Sequence, residues 1–271
     1  MKTYILALSF AGLVLLPFNR SEAQNSGANN SQDRLLAAVS WYQNSGEMTA
    51  LYFQGFNIAH QRLSKAVTAH KSGKPLAVVV DIDETMLDNS PYECTLITKG
   101  DDRNGWKNWT DKAIAKPLPG ALEFAKYAQS KNVEVFYITN RDNQERKTTL
   151  LNLNTAGFPY ANEGHLLTRG DTSYAMGNTS SKEGRRTKVA STHQIVLLLG
   201  DNLNDFSNVF EDRHINNGKE AVAKNMEQFG VKFIILPNPM YGAWEKPVYD
   251  FKDGLTDAQK AEMMRSKLKG Q

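Results

Sequence analysis

Two aspartates one residue apart, Asp81 and Asp83, follow the apolar run Val78-Val79-Val80, and a second pair, Asp201 and Asp205, follows Ile195-Val196-Leu197-Leu198-Leu199-Gly200. Apolar runs of this length read as strands buried on both faces of a parallel sheet, and open α/β sheets bind ligands just beyond the carboxyl ends of such strands. Like charges crowded there need a cation or a proton to neutralise them, so the pair implies a bound metal, a raised pKa, or both. Taken alone, Asp81 and Asp83 fit an ordinary capping turn equally well, because Asp and Thr are common helix caps. The second pair breaks the tie. A helix beginning just after Gly200 would place Asp201 and Asp205 one turn apart, and two strands of one sheet would then deliver four carboxylates to one rim. Oxygen-only ligands suit a hard cation such as Mg²⁺, which takes few carboxylates together with water and substrate phosphate. The chain offers no Cys/His cluster for zinc.

Between the acidic pairs, Val133 to Arg141 reads as a strand ending in the small polar donors Thr139 and Asn140, both suited to holding a phosphate oxygen. Thr179 to Arg186 is a polar stretch with Lys182 placed to neutralise the same phosphate; without the acidic pairs, Lys182 would read as a solvated surface lysine.

In this order, Asp81-Ile82-Asp83-Glu84-Thr85, Thr139, Lys182 and Gly200 through Asp205 resemble the four motifs of the haloacid dehalogenase-like phosphohydrolases. Val79 through Tyr92 and Ile195 through Phe206 are similar to the paired signatures of bacterial class C acid phosphatases, the lipoprotein e type. The resemblance runs from about Asp33 to Trp244. It implies Asp81 as nucleophile, Asp83 as general acid and base, and Mg²⁺ bound by Asp81, the Asp83 carbonyl and Asp201, with Asp205 as a further ligand or support. It also implies Thr139, Asn140 and Lys182 on the phosphoryl oxygens. The fold it implies is a parallel, Rossmann-like α/β sheet sandwiched by helices, with a smaller helical cap and a tendency to form homodimers.

Aromatic residues flank this core. Gly105-Trp106-Lys107-Asn108-Trp109 falls in the insertion after the first catalytic strand, and Tyr241-Gly242-Ala243-Trp244 follows the last strand, Val231 to Leu236. Trp106 and Tyr241 are the candidates for sandwiching a base, a contact worth about 1–3 kcal/mol; core or lid packing is the competing role for these aromatics. The resemblance associates these positions with nucleoside monophosphates, so a 5'-nucleotidase-like phosphomonoesterase is expected. Phosphotransfer to an alcohol, or a non-catalytic exported binding protein on the same scaffold, are the alternatives. An inactive scaffold usually loses a carboxylate, and all four are present.

Lys2, the apolar run Ile5 to Phe18 and the small residues around Ser21-Glu22-Ala23 read as a signal peptide cleaved after Ala23. A lipobox needs a cysteine there, and the one cysteine is Cys94, so a soluble exported protein rather than a lipoprotein is expected. The net charge of +3 falls to +2 once Lys2, Arg20 and Glu22 are removed, which gives no sign of nucleic-acid binding. One cysteine also excludes an internal disulfide framework, leaving stability to the hydrophobic core. Residues 24–32 read as a flexible leader, 33–72 as two helices contributing to the cap, 73–249 as the catalytic core with an insertion at 88–118, and 250–271 as a tail with an amphipathic helix over Thr256 to Lys269.

Overall fold

The computed structural model describes residues 33–100, 104–171 and 179–270; the expected signal peptide and leader lie outside them. Helix α1 (Asp33–Asn44) and helix α2 (Gly46–Ala69) break at Ser45, whose hydroxyl accepts the Met48 amide at 3.1 Å and caps α2. Strand β1 (Leu76–Val80) follows, then β2 (Leu87–Asp88), α3 (Ser90–Lys99), α4 (Gly105–Thr110), β3 (Lys116–Pro117), α5 (Ala121–Ser130) and β4 (Glu134–Asp142). The second half runs α6 (Arg146–Thr155), β5 (Leu166–Arg169), α7 (Glu183–Thr192), β6 (Gln194–Gly200), α8 (Lys219–Lys224), β7 (Phe233–Ile235), α9 (Glu245–Val248) and α10 (Asp257–Lys267).

Strands β5, β4, β1, β6 and β7 form, in that order, a parallel sheet, and β2 and β3 pair antiparallel beside it. Central β1 is buried along its whole length. Its alternate residues serve opposite faces, as strand geometry requires. Leu76, Val78 and Val80 join Tyr52, Phe56, Phe124 and Leu153, while Ala77 and Val79 join Val189, Phe206, Phe210 and Phe233. Helix α2 therefore lies in the main body, against α5, β6 and β7, whereas α1 packs on α3. After β1 the chain builds outward through β4 and β5, then crosses to β6 on the other side of β1. The crevice between the carboxyl ends of β1 and β6 is thus the topological switch point at which such sheets bind ligands.

Two local expectations are corrected. The last strand is shorter than Val231 to Leu236, because residues 229–232 are taken up by a turn in which the Val231 and Lys232 amides bond the Gln228 carbonyl. Helix α10 forms where expected, with Thr256 and Gln259 capping each other, but it is not amphipathic in use: none of its residues is buried. It is held by its local caps and by Lys267 Nζ on Asp250 at 2.6 Å. Between β4 and α6 the chain makes a 3-10 turn, Asn143–Glu145, capped by Asp142. No helix of the described residues is long and apolar enough to cross a membrane.

One polar contact ties α2 to the turn that follows β1. The fully buried Tyr52 hydroxyl lies 2.5 Å from the Tyr42 hydroxyl and 2.6 Å from the Glu84 carbonyl that accepts from it. Deleting one partner of a buried hydrogen bond leaves the other unsatisfied, at a cost of about 1–3 kcal/mol. Tyr52→Phe should lower unfolding stability by that amount in a denaturant titration, and an unchanged midpoint would show that the hydroxyl carries no weight.

Candidate active site

Asp81 begins the turn beyond β1, and its own amide donates to the Leu199 carbonyl of β6 at 3.0 Å, so the backbone hydrogen bonding brings the two acidic loops together. The carboxylates of Asp81, Asp201 and Asp205 each place an oxygen within 4.8 Å of the other two. Lys182 Nζ donates to Asp81 Oδ1 and, at 2.6 Å, to Asp205 Oδ1. Burial pushes the Asp81 carboxyl up to about 7; the Lys182 charge opposes that rise, and those of Asp205 and Asp83 add to it. Asp201 is raised well above the usual carboxylate range by burial and by the charges of Asp205 and Asp81. Burial works against the Lys182 ammonium, yet Asp205 and Asp81 outweigh it and hold its pKa above the ordinary lysine value.

The helix expected directly after Gly200 is a 3-10 turn, Leu203–Asp205, capped by Asn202. Asp205 reaches backwards: its Oδ2 accepts the Asn202 amide at 2.9 Å while Oδ1 meets Lys182. Side-chain capping has here replaced a helical turn. Only glycine fits at 200, because a Cβ there would overlap the Asp205 carboxylate. Asp201 stands outside the turn and is held by Asn238 Nδ2, 2.8 Å from its Oδ2.

Helix α7 clamps the site from one side. Lys182 is its N-cap residue rather than part of an open loop. Arg185 donates to the Thr139 carbonyl, to Asn140 Oδ1 at 2.7 Å and to the Ser181 carbonyl at 3.0 Å. Arg186 donates to the Asn204 and Asp205 carbonyls at 2.9 and 3.0 Å. With its oxygen committed to Arg185, Asn140 turns its amide N–H groups to the other side.

The general-acid candidate Asp83 is engaged by Arg141, whose Nη2 and Nε lie 2.7 and 3.0 Å from Oδ1, and by Asn89 Nδ2 at 2.8 Å. The Arg141 guanidinium also sits over the Trp106 ring, 5.6 Å from its centroid, and Tyr92 meets Trp106 edge-on at 5.3 Å.

Asp81, Asp83, Trp106, Asn140, Lys182, Asp201, Asp205 and Tyr241 all line one cavity of about 550 Å³, within the range of small-molecule sites. Thr139 does not line it: its side chain is fully buried, with Oγ1 accepting the Arg141 amide at 3.0 Å and lying 3.5 Å from Asp83 Oδ2. Trp109 and Trp244 also stay out of the cavity; Trp109 Nε1 donates to Asn89 Oδ1 at 2.8 Å. None of His60, His70, His165, His193 and His214 lines it, and His165 and His193 instead flank Glu134 at 2.8 and 3.2 Å. The sequence reading assigned no part to Arg141, Arg185, Asn89 or Glu84. For Arg141 a signal existed: it lies two residues from Thr139 on one strand, hence on the same face.

The donor set fits a divalent cation. Asp81, Asp83, Asp201 and Asp205 face Lys182 and Arg141 across the cavity floor, and the donors are carboxylate oxygens suited to a hard ion. A parallel sheet with acidic loops on β1 and β6 and a lysine brought in by the preceding helix defines the haloacid dehalogenase-like class of phosphohydrolase folds. Residues 16–244 match the family model described as HAD superfamily, subfamily IIIB (acid phosphatase), and the chain belongs to that family of phosphomonoester hydrolases. Its structure is similar to that of the class C acid phosphatase from Bacillus anthracis, at 40% identity and a TM-score of 0.82, covering 89% of this chain and 99% of that one. The same enzyme with tungstate bound gives 40% identity and a TM-score of 0.82, covering 88% and 98%. Acid phosphatase 1 of Solanum lycopersicum is 28% identical over 173 residues, 60% of this chain and 57% of that protein, so the match spans little more than half of the plant protein's length.

Metal binding should show in the pH dependence of stability. Asp81 keeps its proton up to about pH 7 when folded, against about pH 4 for an ordinary carboxyl. The metal-free folded state therefore binds the extra proton between those values, and this group's contribution to stability falls as pH rises through that window. A cation replaces that proton, so the rise in melting temperature on adding Mg²⁺ should be small near about pH 5 and larger near about pH 7.5. A shift independent of pH would contradict ligation by these carboxylates.

Proposed function

We propose that the protein is an exported, Mg²⁺-dependent acid phosphatase that hydrolyses nucleoside 5'-monophosphates in preference to other phosphomonoesters, through a phosphoryl group carried on Asp81. The observation that carries this reading is the buried Asp81 carboxylate set between Lys182 and two further aspartates at the floor of an open cavity. The tungstate complex of the Bacillus anthracis enzyme, an oxyanion bound to a chain of the same fold, supports it.

A divalent cation held by the Asp81, Asp201 and Asp205 carboxylates and the Asp83 carbonyl would neutralise the crowded negative charge and polarise the phosphoryl group. Lys182 and the Asn140 amide bind the non-bridging oxygens, and the buried Thr139 hydroxyl supports this wall from behind, beside Asp83. This is the positioning and electrostatic work on which phosphoryl transfer relies. An Asp81 oxygen attacks phosphorus; the bond from phosphorus to the ester oxygen breaks, and that oxygen takes a proton from Asp83. Water then attacks the same phosphorus, gives its proton to Asp83, and releases Asp81 and inorganic phosphate. Arg141 and Asn89 orient the Asp83 side chain between these steps.

Trp106 and Tyr241 both line the cavity, and stacking of a purine or pyrimidine on such rings has little regard to its identity.

Purified residues 24–271 should release phosphate from adenosine 5'-monophosphate at about pH 5–6 with Mg²⁺, lose that activity in excess chelator, and lose it in the correctly folded Asp81→Asn variant. Release that persists in Asp81→Asn would refute the nucleophile assignment, and no release from this substrate or from a simple aryl phosphate would refute the enzyme reading.

A further inference from the structure

We propose that Glu84, which does not line the cavity, is the positioning residue that fixes Tyr241 at the cavity wall and thereby sets the enzyme's selection of base-bearing substrates. The proposal rests on the nucleotide reading given above. Glu84 is fully buried and adopts φ +54°, a left-handed conformation that a residue with a Cβ holds only when its surroundings impose it. All four of its polar groups are used. Its amide donates to the Leu87 carbonyl at 2.9 Å and its carbonyl accepts the Tyr52 hydroxyl at 2.6 Å. Its Oε1 accepts the Asn89 amide at 2.7 Å, and its Oε2 accepts the hydroxyl of Tyr241.

Burying a carboxyl is unfavourable unless its partners compensate, and the partners here connect two walls of one cavity. Tyr241 is held at both ends. Its amide lies 3.4 Å from Asn238 Oδ1, and Asn238 in turn holds Asp201, while its hydroxyl is held by Glu84. From Glu84 the contacts continue through Asn89, which donates to Asp83 and accepts from Trp109, to Arg141 and so to the face of Trp106. Both aromatic candidates are thus referred to the same carboxylates, and Glu84 is the link on the Tyr241 side. A ring whose place is fixed relative to Asp81 can meet a base only when the base lies one ribose away from the phosphoryl group. Preorganising the ring lowers the cost of gripping that base.

The test compares kcat/KM for adenosine 5'-monophosphate with that for ribose 5-phosphate, which has the same leaving oxygen and no base, using the Mg²⁺-loaded enzyme. Tyr241→Phe keeps the ring and removes the bond to Glu84. It should lower the ratio by about three- to tenfold, the worth of one hydrogen bond, chiefly through a higher KM for the nucleotide. Glu84→Gln, which keeps the shape and a polar atom for each partner, should retain most of the ratio. Glu84→Leu should fall as far as Tyr241→Phe, and the double variant no further, because both changes remove one interaction. If Glu84→Leu does not fold, Tyr241→Phe and Glu84→Gln carry the comparison. A wild-type ratio well above one that Tyr241→Phe leaves intact, or equal losses on both substrates, would overturn the role of Glu84 alone. A wild-type ratio near one would overturn the nucleotide reading and this proposal with it.

Discussion

The contact on which the site depends is that of Lys182 with Asp81 and Asp205. Carboxylates from two strand ends are packed at the base of one cavity, and their repulsion in a poorly solvated place would otherwise drive the loops apart. A single buried ammonium on the N-cap of α7 bridges the acidic loop of β1 and that of β6. It offsets only part of the cost: burial first, and the neighbouring carboxylates after it, still hold Asp81 and Asp201 above the usual carboxylate range. What remains is a concave negative site matched to a hard cation and then to a phosphoryl group, whose oxygens the same lysine can receive.

The rest of the fold serves that contact. Burial of both faces of β1 fixes where Asp81 emerges, and the crossover to β6 puts Asp201 beside it rather than across the sheet. Helix α7 reaches three strand-end segments through consecutive cations: Lys182 to both acidic loops, Arg185 to Thr139 and Asn140, and Arg186 to the backbone at Asn204 and Asp205. Because these groups share one short helix, a displacement of α7 would disturb both acidic loops and the Thr139–Asn140 segment together. The fold that carries this arrangement is similar to that of the Bacillus anthracis class C acid phosphatase over nearly the whole of that chain.

Much of the framework is legible in the chain because burial on two faces leaves an unmistakable apolar run, as at Val78 to Val80 and Leu197 to Leu199. The acidic pairs stand out for the converse reason, as charges placed where a buried strand ends. Contacts between distant segments are less legible. The Asp205 side chain turns back on Asn202 because Gly200 leaves room for it, a choice between capping and helix that spacing alone does not decide. Arg141 finds Asp83 across 58 residues of sequence, and Tyr241 finds Glu84 across 157. Nothing local announces Glu84 as the partner of Tyr241, and for Arg141 only its two-residue spacing from Thr139 points to the site. The apolar residues of α10 likewise suggest a buried face, yet Ala261, Met263 and Met264 are only half-buried.

The proposed route of the phosphoryl group runs through Asp81. The most direct measurement is mass spectrometry of acid-quenched enzyme during turnover of adenosine 5'-monophosphate, beside an Asp83→Asn variant in which hydrolysis of the acyl phosphate is slowed. A phosphate adduct confined to the peptide that carries Asp81, and absent from Asp81→Asn, is the expected result. Turnover with no adduct on that peptide under any quench, or an adduct on another residue, would contradict the account.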